Sequence, residues 1–351
     1  MPLHRRSLLR LVAGAALLGG QRAVLANSAS GAGPGGAAPR DGGRFRNPGG
    51  VRAPGLGALL RWQLARAPGA WPAAAPALAP AALPAAVAPG EVAVTLVNHA
   101  TFLLQFAGLN VLTDPIWSER CSPVPWAGPR RVHPPGLALE ALPRIDVILV
   151  SHNHYDHLDL ATLAALQDRH RPKVVTGLGQ RGLLAAAGIV EPVELDWWGE
   201  HALGGGYGVT FTPAQHFSAR GLFDRDLSLW GGFALRAPAG AVYFAGDSGY
   251  APLFREIGAR LGPFALALLP IGAYRPRWFM AALHCDPEEA VRVHRDVRAR
   301  RSLGMHFGCF PLADDGYHEP AAELEVARRN AGVTAEEFAL PVPGRTLRFP
   351  L

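Results

Sequence analysis

Residues 147–160 read VILVSHNHYDHLDL. Four apolar residues run as a buried strand into a serine, and four ionisable side chains follow at once: His152, His154, Asp156 and His157. Imidazole and carboxylate groups are costly to bury bare, so a strand that ends in them must fold around something they bind. His152 and His154, two apart on an extended segment, point the same way. Asp156 and His157 sit on the turn beyond. This donor mixture suits zinc or a similar divalent ion. So short a loop cannot bring all four donors to one ion, which points to two metals. His152 and His154 would serve one, Asp156 and His157 the other.

More ligands must come from elsewhere, and the chain offers three. His216 ends GVTFTPAQH, Asp247 ends AVYFAGD and His306 ends SLGMH. Each follows a short β-like run, which places it at a sheet edge where ligands can converge. A single histidine at a strand end is usually structural. Three such residues in this order after HxHxDH are hard to ascribe to chance.

The surrounding pattern is α/β. EVAVTLVNHATFLLQFAGLNVLTDP alternates apolar and polar residues and turns at AGLN and DP, as a hairpin of half-buried strands does. GGFALRAP and FALALLPIG read as further strands, and LDLATLAALQDR as a helix. CDPEEAVRVHRDVRARR opens with Asp286 at a helix cap, Pro287 in the first turn and two acids, with basic residues at the far end. No internal repeat of 20–50 residues shows. The expected architecture is an α/β sandwich, sheets inside and helices outside.

The front of the chain differs. MPLHRRSLLRLVAGAALLGGQRAVLA orders a charged segment, an apolar run and small residues as a signal peptide does, and its Arg5–Arg6 pair is similar to a twin-arginine signal. Residues 1–26 are therefore expected to direct export to the periplasm, with an uncleaved anchor helix as the competing reading. Residues 27–90 are rich in Ala, Pro and Gly and read as a linker or extended arm. Two islands, GRFRNP at 43–48 and LLRWQL at 59–64, are expected to pack on the surface. The net charge of +6 falls to +2 once the four arginines of the first 26 residues are set aside. That disfavours a nucleic-acid partner. Cys121, Cys285 and Cys309 form no metal or disulfide pattern.

The run HNHYDH, then a single His, then GD, then a final His resembles the metallo-β-lactamase fold superfamily of binuclear metallohydrolases. The strings LDWWGE, TPAQHFSARGLFDRDLSLWGGF, FAGDSGY, PIGAYRPRWFM, HCDPEEAVRVH and MHFGCF resemble its N-acylphosphatidylethanolamine-hydrolysing phospholipase D branch, over roughly residues 91–351. The resemblance implies an αββα sandwich, two mixed β-sheets flanked by helices, over that hydrolase domain. It implies two zinc ions: His152, His154 and His216 on one, Asp156, His157 and His306 on the other, Asp247 between them. Asp114, in LTDP, would orient a ligand imidazole, although an Asp-Pro turn explains it too. Asp247 and His284 would be catalytic, His284 by stabilising phosphoryl charge or aiding the leaving group; a structural histidine before a helix cap is the competing reading. The chain departs from the family pattern at Asn98-His99-Ala100-Thr101, where Gly-His-Ala-Thr is usual, and at HFGCF in place of HWGTF.

The implied reaction is hydrolysis of a phosphodiester in a phospholipid, giving phosphatidic acid and an N-acylethanolamine. Trp197, Trp198, Tyr274, Trp278 and Phe279 have apolar bodies that suit an acyl chain at a membrane surface, with core or dimer packing as the alternative. A soluble phosphodiester or lactone is the second substrate reading. A non-enzymatic envelope scaffold is the third, and retention of all seven ligand positions argues against it. The resembled family also implies a homodimer.

Overall fold

The computed structural model describes residues 36–75 and 82–351. The expected signal peptide at 1–26 lies outside the described residues. A short ribbon pairs β1, Arg40–Asp41, with β2, Arg44–Phe45, and two seven-stranded mixed sheets form the body. The first runs in the order β16-β3-β4-β5-β6-β7-β8, from Thr346–Pro350 through Glu91–Asn98, Thr101–Phe106, Leu109–Thr113, Val147–Val150 and Lys173–Gly177 to Val193–Leu195. The second runs β9 to β15 in sequence order: Glu200–Gly204, Tyr207–Thr212, Gly232–Ala237, Gly240–Phe244, Leu266–Pro270, Ser302–Met305 and Phe338–Ala339. Both sheets share one pattern, three antiparallel pairings followed by three parallel ones. This internal symmetry leaves no repeat in the sequence, because it resides in strand pairing rather than in side chains.

The main core lies between the sheets. Val92, Val94, Phe102 and Leu104 of the first meet Phe211, Phe233, Val242 and Phe244 of the second. The other face of the first sheet, with Leu103, Leu112 and Ile148, is covered by Leu163 and Leu166 of helix Leu160–His170. Helices Leu253–Leu261, Pro287–Asp296 and Glu319–Ala331 flank the second sheet and bury Phe254, Ile257, Val291 and Leu324. Among the described residues, no helix is long and apolar enough to cross a membrane.

Three sequence expectations need correction. Residues 91–113 form three strands, not a hairpin, and nearly every residue is buried rather than every other one. Their first turn falls at Asn98–Thr101, where no Gly or Pro marks it; His99 makes it by adopting a φ of 48°. The helix after Asp286 stops at Asp296, short of the basic cluster at Arg298, Arg300 and Arg301. Ser302 must already pair with Ala267, and Arg298 turns the chain with a φ of 60°. Residues 36–75 are more than a linker. Phe45 is 2% exposed and joins the main core, and Trp62, on helix Leu56–Leu64, is 6% exposed and donates from Nε1 to Asp314 (2.8 Å).

Candidate metal centre

All seven sequence-predicted ligands lie just past the C-terminal ends of strands, where open α/β sheets generally place their sites. The loop after β6 carries His152, His154, Asp156 and His157. His216 follows β10, Asp247 follows β12 and His306 follows β14. Tight backbone aims them. His306 and Asp114 have φ of 61° and 34°, a conformation side-chain-bearing residues rarely adopt and one that concentrates at functional sites. Gly246 turns the chain into Asp247 with a φ of 60°, and a Cβ there would come within 2.8 Å of Ser151 Cβ.

The donors converge in two groups. In one, His154 Nδ1 lies 2.9 Å from His152 Nε2 and 3.2 Å from His216 Nε2. In the other, Asp156 Oδ2 lies 3.2 Å from both His157 Nε2 and His306 Nε2. Asp247 Oδ2 stands between them, 3.1 Å from His306, 3.2 Å from His157, 3.8 Å from His216 and 3.9 Å from His152.

Buried partners fix each ring. Asp114, which is fully buried, accepts from Ser151 N (2.7 Å), Ser151 Oγ (2.6 Å) and His157 Nδ1 (2.6 Å). The last bond turns His157 Nε2 into the cluster. Ser151 Oγ also meets His152 Nδ1 at 2.9 Å. His216 Nδ1 donates to Leu283 O (2.9 Å). The His216 backbone is clamped by Asn47, whose Oδ1 accepts from His216 N (2.9 Å) and whose Nδ2 donates to His216 O (2.8 Å). Asn47 belongs to the GRFRNP island, so the arm braces the centre.

Charge follows this geometry. Burial pushes the His157 imidazole down, but Asp247, Asp156 and Asp114 outweigh it and hold it well above its ordinary value. Against the same burial, Asp247 and Asp156 raise His306 to about 9. Burial and neighbouring imidazoles pull His152 well down and His154 to about 3, and burial takes His216 to about 4 despite Asp247. Burial also raises Asp156 and Asp247, yet His157 and His306 nearby leave both far below the usual carboxylate range. Neutral imidazoles and ionised carboxylates are the forms that ligate metal, so His157 and His306 would give up a proton when an ion binds. Several buried atoms have no hydrogen-bond partner: His157 Nε2, Asp247 Oδ1 and His284 Nδ1. Such groups cost about 1–3 kcal/mol each when left unpaired, so a donor set this convergent fits a cation. His152, His154 and His216 could hold one ion, and Asp156, His157 and His306 another.

His284 stands beside the cluster, its Nδ1 3.8 Å from Asp247 Oδ2 and its side chain 12% exposed. Burial holds its imidazole well below its ordinary value. A seventh imidazole was missed. His99 Nε2 lies 3.0 Å from Asp156 Oδ2, and His99 O accepts from His306 N (3.0 Å). Its only sequence signal was the NHAT string, whose turn carries none of the usual turn residues. The two departures from the family pattern also touch: Cys309 Sγ lies 4.0 Å from Asn98 Oδ1.

The aromatic expectations fare unevenly. Trp197 and Trp198 do not offer themselves to a substrate: both are core residues, 3% and 7% exposed, and Trp197 Nε1 donates to Trp230 O (2.7 Å). Period-two patterning cannot tell an inward tryptophan from one that lines a cleft. Tyr274 and Phe279 are buried as well, whereas Trp278 is 51% exposed with Arg61 4.9 Å above its ring.

A family model described as the beta-lactamase superfamily domain matches residues 109–307. An uncharacterised protein of Mycobacterium tuberculosis is 43% identical over 260 residues, covering 73% of this chain and 68% of that one. A Caenorhabditis elegans protein named N-acyl-phosphatidylethanolamine-hydrolyzing phospholipase D 1 is 42% identical over 66% of this chain and 68% of its own. A mitochondrial protein of the same activity name from Saccharomyces cerevisiae is 36% identical over 63% of this chain and 48% of its own. Among solved structures, Igni18, a metallo hydrolase from Ignicoccus hospitalis, aligns with a TM-score of 0.57 at 22% identity, covering 74% of this chain and 99% of that one. That likeness speaks to the fold.

Proposed function

Because this chain belongs to the beta-lactamase superfamily, we propose that it is a binuclear zinc phosphodiesterase that hydrolyses N-acylphosphatidylethanolamine-type phospholipids. The family match and the clustered His and Asp side chains support a metal-dependent hydrolase of that superfamily. One observation carries the binuclear reading: a single carboxylate oxygen, Asp247 Oδ2, lies between two separate donor groups and within 4 Å of five imidazoles. His152, His154 and His216 would hold one ion, Asp156, His157 and His306 the second, with Asp247 shared. The relatives named for N-acylphosphatidylethanolamine hydrolysis support the substrate.

When bound, two divalent ions supply Lewis acidity at a phosphoryl oxygen and lower the pKa of water towards neutral. The chain's own groups then divide the work. Asp114 and Ser151 hold the ring orientations of His157 and His152. Asp247 Oδ1, free of hydrogen bonds, is the atom available to orient the attacking water and take its proton. The water oxygen attacks phosphorus, the bond to the N-acylethanolamine oxygen breaks, and that oxygen takes up the proton Asp247 received, giving phosphatidic acid and the free N-acylethanolamine. His284 is neutral and directs an unpartnered Nδ1 into the centre, where it can meet the phosphoryl oxygen or the leaving group.

The test is a panel assay on the metal-quantified protein, with N-acylphosphatidylethanolamine, phosphatidylcholine, a bis-aryl phosphodiester and a lactone. Cleavage of the N-acyl lipid, abolished in His152→Ala, is the expected result. Two bound metals with turnover of only the diester or the lactone would discard the lipid substrate and keep the centre.

A further inference from the structure

Twelve large hydrophobic side chains are exposed among the described residues, and seven of them lie on two adjacent segments. Val51, Leu56, Leu60 and Leu64 belong to the arm; Leu222, Phe223 and Leu227 belong to the loop after His216. Leu56, Leu60 and Leu64 fall at i, i+4 and i+8 of helix Leu56–Leu64 and form one row. They are 69%, 57% and 81% exposed, while Trp62 on the opposite side anchors the helix. Phe223 is 84% exposed. An apolar row pointing at water, on a helix whose other face is already satisfied, marks an interaction surface.

The charge around it is mainly positive, although Arg46 pairs with Asp41 and Arg66 with Asp314. Residues 36–75 hold six arginines and a single acid, Asp41. Arg61 on the helix lies over the exposed ring of Trp278. The loop's own acids are engaged: Asp224 accepts from Gly221 N (2.8 Å), and Asp226 pairs with Arg225 of the loop (3.9 Å) and Arg46 of the arm (4.0 Å). The two segments meet across a cleft of about 420 Å³ whose lining includes Arg52, Arg225, Phe223, Phe217 and His216. Arg225 lies 4.8 Å above the Phe217 ring, and that ring lies 4.4 Å from His154. The apolar face therefore borders a cleft whose walls touch the metal centre.

We infer that this face seats the protein on a bilayer of anionic phospholipid, with Leu56, Leu60, Leu64, Leu222 and Phe223 entering the acyl boundary and the neighbouring arginines meeting the headgroup phosphates. An amphipathic helix with cationic flanks binds such an interface through both effects. A second copy of the chain fits the face less well, because a two-fold contact would set arginines against arginines. The inference draws on the lipid reading for its use, but binding is measured without catalysis.

Flotation of the full chain with phosphatidylcholine vesicles, with and without phosphatidylglycerol, tests it. Binding should need the anionic lipid and fall with salt. Leu60→Glu with Leu64→Glu should weaken it about tenfold, while turnover of the soluble bis-aryl diester, whose cleft these two side chains do not line, stays unchanged. Failure of the native chain to float, or equal flotation of the double variant, overturns the inference. So does a stable dimer in sizing experiments that Leu60→Glu dissociates, which would assign the face to a second copy. Flotation without lipid cleavage would reject the substrate reading and leave this one standing.

Discussion

Asp114 shows how one side chain can govern a site it need not touch. It has no exposed surface, accepts three hydrogen bonds and carries a strained φ of 34°. Its carboxylate forces the His157 proton onto Nδ1, which frees Nε2 to face Asp156 and Asp247. In Asp114→Asn with the NH2 group in the place of Oδ2, two of the three donors, Ser151 Oγ and His157 Nδ1, lose their acceptor, and the His157 ring loses its reason to face inward. Metal affinity should fall roughly 10–100-fold in a competition titration with a chromophoric chelator, with the circular dichroism spectrum retained. Unchanged affinity would reduce Asp114 to a turn residue. His99 makes the complementary point. Its type and position were visible, yet its role depends on where a tight turn delivers it.

At the scale of elements, the helix Pro287–Asp296 and its cap hold the rim of the centre. Asp286 accepts from Glu289 N (2.8 Å), and Glu289 returns the bond to Asp286 N (3.2 Å), closing a capping box. Arg277 ties both carboxylates to the preceding loop and donates to His284 O (2.9 Å). The cap thus fixes the end of the loop that carries His284. Asp286→Ala should cost about 1 kcal/mol in urea unfolding, and it should lower kcat more than it changes metal content. A loss of metal equal to the loss of activity would detach the cap from His284. The start of this helix was legible because capping is chemistry local to the chain. Its end was not, since Ser302 is recruited by β13.

For the whole molecule, the arm decides where the folded unit begins. Phe45 joins the core between the sheets, Trp62 bonds Asp314, and Asn47 clamps the backbone of His216. A chain beginning at Glu91 should lose roughly 1.5–3 kcal/mol for each of the two aromatics and bind metal more weakly than one beginning at Gly36. Equal melting temperatures for the two would return the arm to a linker. The alternation of sequence that marked residue 91 as a boundary was real, but it recorded only the first strand of a sheet. A segment rich in Ala, Pro and Gly looks like a linker because its few anchors are spread thinly.

The sequence by itself determined which candidate ligands the chain offers, their order along it and the strand-ending loops that carry them, because side-chain chemistry and short apolar runs are local properties. It also determined the helix starts and the two islands in the arm. Only the tertiary structure decided which donors share a group, that Asp247 Oδ2 lies between the groups, and that His99 and Asn47 join them. It also decided that Trp197 and Trp198 face the core while Leu56, Leu60 and Leu64 face water. These are distances between residues far apart in the chain. They are set by the pairing of two sheets, and no local pattern of side chains encodes that pairing.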